Sequence, residues 1–236
     1  MHYGLVMPAA GSGRRFGADV SKQYAPLAGS TVLECALAPF LADTRCRAIR
    51  LVLAPEDPRR AALAARLGAR GTIVAGGAER CDSVRLGLAS LAEALAAEDW
   101  VLVHDAARPC VASADIDRLI AAVDGSGEEG GLLATPLADT LKRADAAGCC
   151  ESTLPRAALW CAQTPQMFRR GALAAALEQA RLAGRVPTDE AQAMEWTGVR
   201  ARLVAGAFSN LKVTARADLA LAAAELAARG RDGGEA

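Results

Sequence analysis

From Tyr3 to Val123 the chain alternates short apolar runs with Ala/Leu-rich stretches of helical period. Tyr3–Met7, Arg50–Ala54, Thr72–Ala75 and Trp100–Val103 read as strands. Thr31–Ala42, Asp57–Leu67 and Ser83–Ala96 read as helices between them, and Asp115–Val123 lies in the helix that follows the fourth strand. A chain that returns to the same end of a sheet after every strand needs such crossovers, so the rhythm predicts parallel strands. Local signals agree. Thr31 and Glu34 form a capping box, and Asp57-Pro58 reads as an N-cap followed by proline at the first helical position.

The expected fold class is therefore α/β: a doubly wound, mostly parallel, Rossmann-like sheet with helices on both faces. The rhythm changes after Gly125. Leu132–Thr135, Thr140–Arg143 and Cys150–Leu154 are short β candidates with no helix between them, which predicts an inserted β-arm at about 132–156. Arg169–Leu182 and Asp189–Glu195 then read as helices, and Arg202–Ala205 and Leu211–Val213 as late strands. The last helix, after Thr214, places Leu219, Ala222, Ala223 and Leu226 on one face. A single domain over residues 1–228 is expected, followed by a flexible, polar, glycine-rich tail at 229–236.

Charge narrows the function classes. Lys+Arg and Asp+Glu both number 27. Zero net charge argues against nucleic acid or an anionic membrane surface as the main partner, so anion chemistry must come from local clusters. No apolar run approaches the ~20 residues of a membrane span. Met1–Ala10 lacks the basic n-region of a secretory signal. Seven cysteines without CxxC spacing fit reduced thiols in the cytoplasm, and two histidines are too few for a His-rich metal site.

Ligands of open α/β sheets bind beyond the carboxyl ends of the strands. Three segments expected at that edge carry unusual residues. Ala9-Ala10-Gly11-Ser12-Gly13-Arg14-Arg15-Phe16-Gly17 follows the first strand. It fails the dinucleotide fingerprint because Phe16 stands where the third glycine belongs, and it fails Walker A spacing as well. Two arginines and the nearby Lys22 suit a polyphosphate; a solvated surface turn is the plain alternative. His104-Asp105-Ala106-Ala107-Arg108-Pro109 closes the fourth strand. Asp105 there either holds Mg²⁺ beside a triphosphate, or caps a turn or pairs with Arg108. In Ser209-Asn210-Leu211-Lys212-Val213-Thr214, Lys212 reaches the same edge or faces solvent, and Arg156 in the arm has the same two readings.

Taken together, several segments resemble the 2-C-methyl-D-erythritol 4-phosphate cytidylyltransferases of the non-mevalonate isoprenoid pathway. They are Pro8–Gly17, Ser21-Lys22-Gln23-Tyr24, Gly76–Val84, His104–Pro109, Asp139–Arg143, Gln163-Thr164-Pro165-Gln166, Thr188-Asp189-Glu190-Ala191 and Asn210–Thr214. The resemblance implies transfer of CMP from CTP to methylerythritol phosphate, with release of pyrophosphate and with Mg²⁺ as cofactor. It implies transition-state stabilisation by Arg15 and Lys22. Ala9, Ala10, Gly11, Gly13, Gly77, Ser83, Asp105 and Ala106 would bind the nucleotide, with Asp105 also facing the metal. Arg156 and Lys212 would position the acceptor phosphate, with Thr140, Thr164 and Thr188 nearby. It also implies a homodimer joined through the β-arm. Two departures stand out: Ala78, where many relatives carry an acid, and Ser209, which leaves its role open. The alternative is a nucleotidyltransferase for another sugar or polyol phosphate. A dinucleotide-dependent oxidoreductase and a non-catalytic nucleotide-binding regulator are the readings from other classes.

Overall fold

The computed structural model describes residues 1–11 and 21–232. In chain order its strands are β1 (Tyr3–Pro8), β2 (Pro26–Leu27), β3 (Ser30–Thr31), β4 (Cys46–Leu53), β5 (Gly71–Ala75), β6 (Trp100–Val103), β7 (Gly130–Pro136), β8 (Leu141–Ala144), β9 (Cys150–Leu154), β10 (Trp160–Arg169) and β11 (Arg202–Ala205). Its helices are α1 (Val32–Ala42), α2 (Arg60–Leu67), α3 (Arg80–Leu91), α4 (Ser113–Val123), α5 (Arg170–Leu182), α6 (Glu190–Glu195) and α7 (Arg216–Asp232). Seven strands make one sheet in the order β11-β7-β10-β6-β1-β4-β5. Neighbours run parallel, except that β10 is antiparallel to both β6 and β7.

Alternation along the strands puts one layer of helices on each face. Tyr3, Leu5 and Met7 of β1 pack with Leu33 and Phe40 of α1, Leu63 of α2 and Ile116 of α4. Val6, one step out of phase, packs on the other face with Val84 and Leu88 of α3, Leu173 of α5 and Met194 of α6. The apolar face of α7 is the expected one. Ala222 is fully buried, and Leu219, Ala223 and Leu226 pack beside Leu27 and Val32. The α1 capping box also forms: the Thr31 hydroxyl accepts from the Glu34 N–H at 3.3 Å, and the Glu34 carboxylate accepts from the Thr31 N–H at 3.0 Å. Among the described residues no helix is long and apolar enough to cross a membrane.

Several expectations need correction. Leu132–Thr135 is not part of the arm. It lies in β7, whose residues are buried from Gly130 to Thr135 in the central sheet. A strand covered on both faces loses its polar alternation, so its short apolar run reads like an isolated β segment. The arm is the β8–β9 hairpin within residues 137–159. The sequence reading missed β10. Gln163, Thr164, Pro165 and Gln166 look like a loop, but they sit where the β10–β7 register shifts, and an irregular site of this kind tolerates proline. Helix α2 starts at Arg60, since Asp57 instead accepts the Arg59 N–H at 2.9 Å in the preceding turn. Helix α3 starts earlier than expected, at Arg80, and ends at Leu91. Leu211–Val213 forms no strand, although the Val213 N–H donates to the Ala107 carbonyl at 2.8 Å. The tail is helical as far as Asp232, and Arg229 bonds to Glu225, the Cys110 carbonyl and Ser209. Residues 233–236 lie outside the described residues.

Candidate active site

The carboxyl ends of β1 and β6 open into a cleft where four loops meet. It is lined by Pro8, Ala9, Ala10, Gly11, Lys22, Gln23, Gly77, Ala78, Glu79, Arg80, Ser83, Asp105, Ala106, Ala107 and Lys212. The first loop is pinned by Gln23, a buried amide that donates to the carbonyls of Ala9 at 2.9 Å and Gly11 at 3.1 Å. The loop after β5 has no room for side chains at its two glycines, crowded by the first loop at one and by α3 at the other. A Cβ on Gly76 would stand 2.4 Å from that of Ala10, and one on Gly77 would stand 2.4 Å from that of Asp82. The Gly77 N–H donates to the buried Ser83 hydroxyl at 3.2 Å. Here the cleft wall is mostly backbone and methyl groups, which suits a flat heterocycle.

The cleft also carries charge. Asp105, buried at the end of β6, is clasped by two cations. Oδ1 accepts from Arg80 Nε at 2.9 Å and lies 2.8 Å from Nη2, while Oδ2 pairs with Lys212 Nζ at 2.7 Å. Burial alone would raise the Asp105 pKa. Arg80 and Lys212 outweigh it and hold the carboxyl well below the usual carboxylate range. Burial likewise opposes the Arg80 charge, but the carboxylates of Glu190 and Asp105 push its pKa up. Glu190, only 1% exposed, takes Arg80 Nη1 at 2.6 Å and Nη2 at 3.1 Å. Arg108 is not the partner of Asp105 in these contacts; its guanidinium donates to the carbonyls of Asn210 at 2.7 Å and Ala162 at 3.2 Å.

A neutral relay supports the Asp105 backbone. Its N–H donates to the Thr164 hydroxyl oxygen at 3.0 Å, and that hydroxyl lies 2.9 Å from His104 Nδ1. The hydroxyl hydrogen is thus directed to Nδ1. The ring proton then belongs on Nε2, which faces the Arg108 carbonyl at 3.1 Å. Burial pushes the His104 pKa down to about 4. The unfolded chain binds this proton near pH 6.5, so stability is complete above that value and falls as the pH drops towards 4. Urea titration should show a loss of about 2 kcal/mol between pH 7.5 and pH 5 from this group. His104→Gln should lower stability at pH 7.5 yet flatten that part of the profile. An unchanged profile in the variant would assign the acid loss to other groups.

Comparison with known proteins bears on this geometry. The family model described as IspD, 2-C-methyl-D-erythritol 4-phosphate cytidylyltransferase, matches residues 4–228. The chain belongs to this family. A relative of that name from Dechloromonas aromatica is 50% identical over 230 residues, spanning 97% of this chain and 98% of its own. One from Acidithiobacillus ferrooxidans is 49% identical over 234 residues, spanning 97% and 98%. The crystal structure of the Francisella tularensis cytidylyltransferase superimposes with a TM-score of 0.79 at 30% identity, covering 95% of this chain and all of that one.

In this member of the family, nine of the residues named from the sequence share the cleft: Ala9, Ala10, Gly11, Lys22, Gly77, Ser83, Asp105, Ala106 and Lys212. Gly13 and Arg15 lie outside the described residues. Thr164 does not line the cleft; its buried hydroxyl is engaged by Asp105 and His104. Arg156 and Thr140 stand exposed in the arm, away from this cleft, with the Arg156 guanidinium donating to the Ala138 carbonyl. Thr188 is exposed just before α6, and its N–H donates to Gln192 Oε1 at 2.8 Å. Ala78 lines the cleft with a methyl group only, and the Ser209 hydroxyl accepts from Arg229 at 3.3 Å. The sequence reading gave no role to Gln23, Arg80 or Glu190. All three lie within the segments that carry the resemblance, but nothing in the linear order joins Arg80 to Glu190.

Proposed function

We propose that the chain transfers CMP from CTP to 2-C-methyl-D-erythritol 4-phosphate, forming 4-diphosphocytidyl-2-C-methyl-D-erythritol and pyrophosphate in isoprenoid precursor biosynthesis. The observation that carries this reading is a single cleft lined both by small residues that suit a base, Ala9, Ala10, Gly11 and Gly77, and by the Arg80–Asp105–Lys212 cluster that suits charged groups. An acceptor phosphate oxygen, already ionised at neutral pH, attacks the α-phosphorus of CTP. The new P–O bond forms as the bond to the β-phosphate oxygen breaks, and pyrophosphate leaves with that electron pair. No general base is needed, so the work is positioning and charge stabilisation. Arg15 and Lys22 serve the donor phosphates. Arg156 and Lys212 serve the acceptor phosphate, with Thr140 and Thr188 beside it, and Thr164 acts through the Asp105 backbone.

Among the described residues no group of three or more His, Cys, Asp or Glu side chains gathers to hold a metal. Mg²⁺ usually takes one or two carboxylates, several waters and substrate phosphates, so Asp105, the buried carboxylate that lines the cleft, fits it in company with a triphosphate by a lone pair left over from its contacts to Arg80 and Lys212. Bound there, the ion would neutralise phosphate charge. A homodimer joined through the β-arm is part of this reading. So is a cytoplasmic setting, supported by seven free cysteines, three of them exposed.

Pyrophosphate release with methylerythritol phosphate, Mg²⁺ and each of CTP, ATP, GTP and UTP tests the proposal. A base that leaves buried polar groups unpaired is discriminated strongly, so CTP should exceed the others by about 100-fold or more. Equal turnover with ATP would remove the base assignment. Turnover only with a different sugar or polyol phosphate would move the protein to the alternative acceptor, and CTP binding without pyrophosphate release would make it a regulator.

A further inference from the structure

We infer that Glu190 is a positioning residue for this reaction: it fixes Arg80, and Arg80 fixes the Asp105 carboxylate at the cleft. The inference rests on the transfer reading proposed above. Glu190 is 1% exposed and does not line the cleft, so its effect must pass through another group. That group is Arg80, which does line the cleft. The guanidinium is held between two carboxylates, with Nη1 2.6 Å from Glu190 Oε1, and Nε 2.9 Å and Nη2 2.8 Å from Asp105 Oδ1.

Glu190 itself is anchored from the sheet. Asp189 caps α6 by accepting the Gln192 N–H at 2.9 Å. Gln166 of β10, 1% exposed, donates to Asp189 Oδ2 at 2.9 Å and accepts the Ala191 N–H at 2.8 Å. One strand therefore places α6, α6 places Glu190, and Glu190 removes the rotamer freedom that a long arginine side chain otherwise keeps. Two parallel N–H···O contacts add direction as well as energy. Thr164, on the same strand as Gln166, sets the Asp105 backbone. The carboxylate and the main chain of Asp105 are thus both referred to β10.

Charge separates this role from plain stabilisation. Glu190, Arg80, Asp105 and Lys212 sum to zero. Glu190→Gln leaves one net positive charge beside the triphosphate site, which favours an anionic nucleotide. KM for CTP should then stay level or fall, while kcat drops at least 10-fold because Arg80 no longer fixes the Asp105 carboxylate and Lys212 alone remains on it. A general folding defect would not split the two constants in that way. Arg80→Gln strands a buried carboxylate and should destabilise the protein, whereas Glu190→Gln/Arg80→Gln removes both charges and should recover much of that stability.

The experiment measures kcat, KM for CTP and urea stability for the wild type and all three variants, together with crystal structures of the wild type and Glu190→Gln. The expected result for the double variant is recovered stability with kcat still at least 10-fold below wild type. Recovery of turnover together with stability would overturn the inference, and so would Glu190→Gln turning over within threefold of wild type. If the wild type itself transfers no CMP, the transfer reading fails. The crystal structures then decide the geometric claim: a displaced Asp105 carboxylate in Glu190→Gln sustains it, and a carboxylate unmoved on Arg80 and Lys212 overturns it.

Discussion

Lys22→Ala should lower turnover by two to three decades while leaving the protein folded. Lys22 lines the cleft from a short helical turn, Lys22–Tyr24, whose other two residues hold the turn in place. The Gln23 amide is bonded to the first loop, and the buried Tyr24 donates its hydroxyl to Asp57 at 2.5 Å. The anchoring therefore survives loss of the ammonium. Removing one preorganised stabiliser of transition-state charge costs about 3–4 kcal/mol. A substitution away from core and cap features moves stability by only about 0.5 kcal/mol. Steady-state kinetics beside urea unfolding separates the two quantities. Turnover within threefold of wild type would remove Lys22 from the catalytic set. Arg15→Ala is expected to match it on the same assay.

The alternation of β1, α1, β4, α2, β5, α3 and β6 is legible because each element obeys its own period, while cap chemistry marks the start of α1 but not of α2. What failed was local pattern wherever tertiary structure sets the rule. Buried on both faces, β7 lacks polar alternation, so its sequence reads as part of the arm. Strand β10 carries Gln163, Thr164 and Gln166 at buried positions, and their hydrogen bonds to Ala207, Asp105, His104 and Ala191 exist only after folding. Linear order marks such residues as loop. The cleft was more legible than the strands, since Asp105, Lys212 and the glycine-rich loops all fall where sheet edges collect ligands. The pairing of Arg80 with Glu190 spans 110 positions, and no period or spacing rule reaches that far.

Mixing Lys22→Ala chains with Arg156→Ala chains should restore roughly a quarter of wild-type activity. Lys22 and Lys212 line the cleft, whereas Arg156 stands in the arm and does not. The β8–β9 hairpin is largely exposed, and two large apolar residues at its base, Leu159 at 42% and Trp160 at 37%, are also open to solvent. In an isologous dimer each arm can reach the other subunit, so the acceptor side of every cleft would take Arg156 from the partner chain. A mixed dimer then has one site with both defects and one with neither. With equal chains and random reassortment about half the dimers are mixed, which gives the expected quarter. If Lys22 and Arg156 serve a site within one chain, every site carries a defect and nothing returns. Unfolding and refolding the two variants together, with separately refolded samples as controls and the dimers resolved by mass, decides between these cases. Absence of recovery in demonstrated heterodimers would overturn the shared site while leaving the transfer reaction untouched, because chemistry within a self-contained cleft needs no second chain.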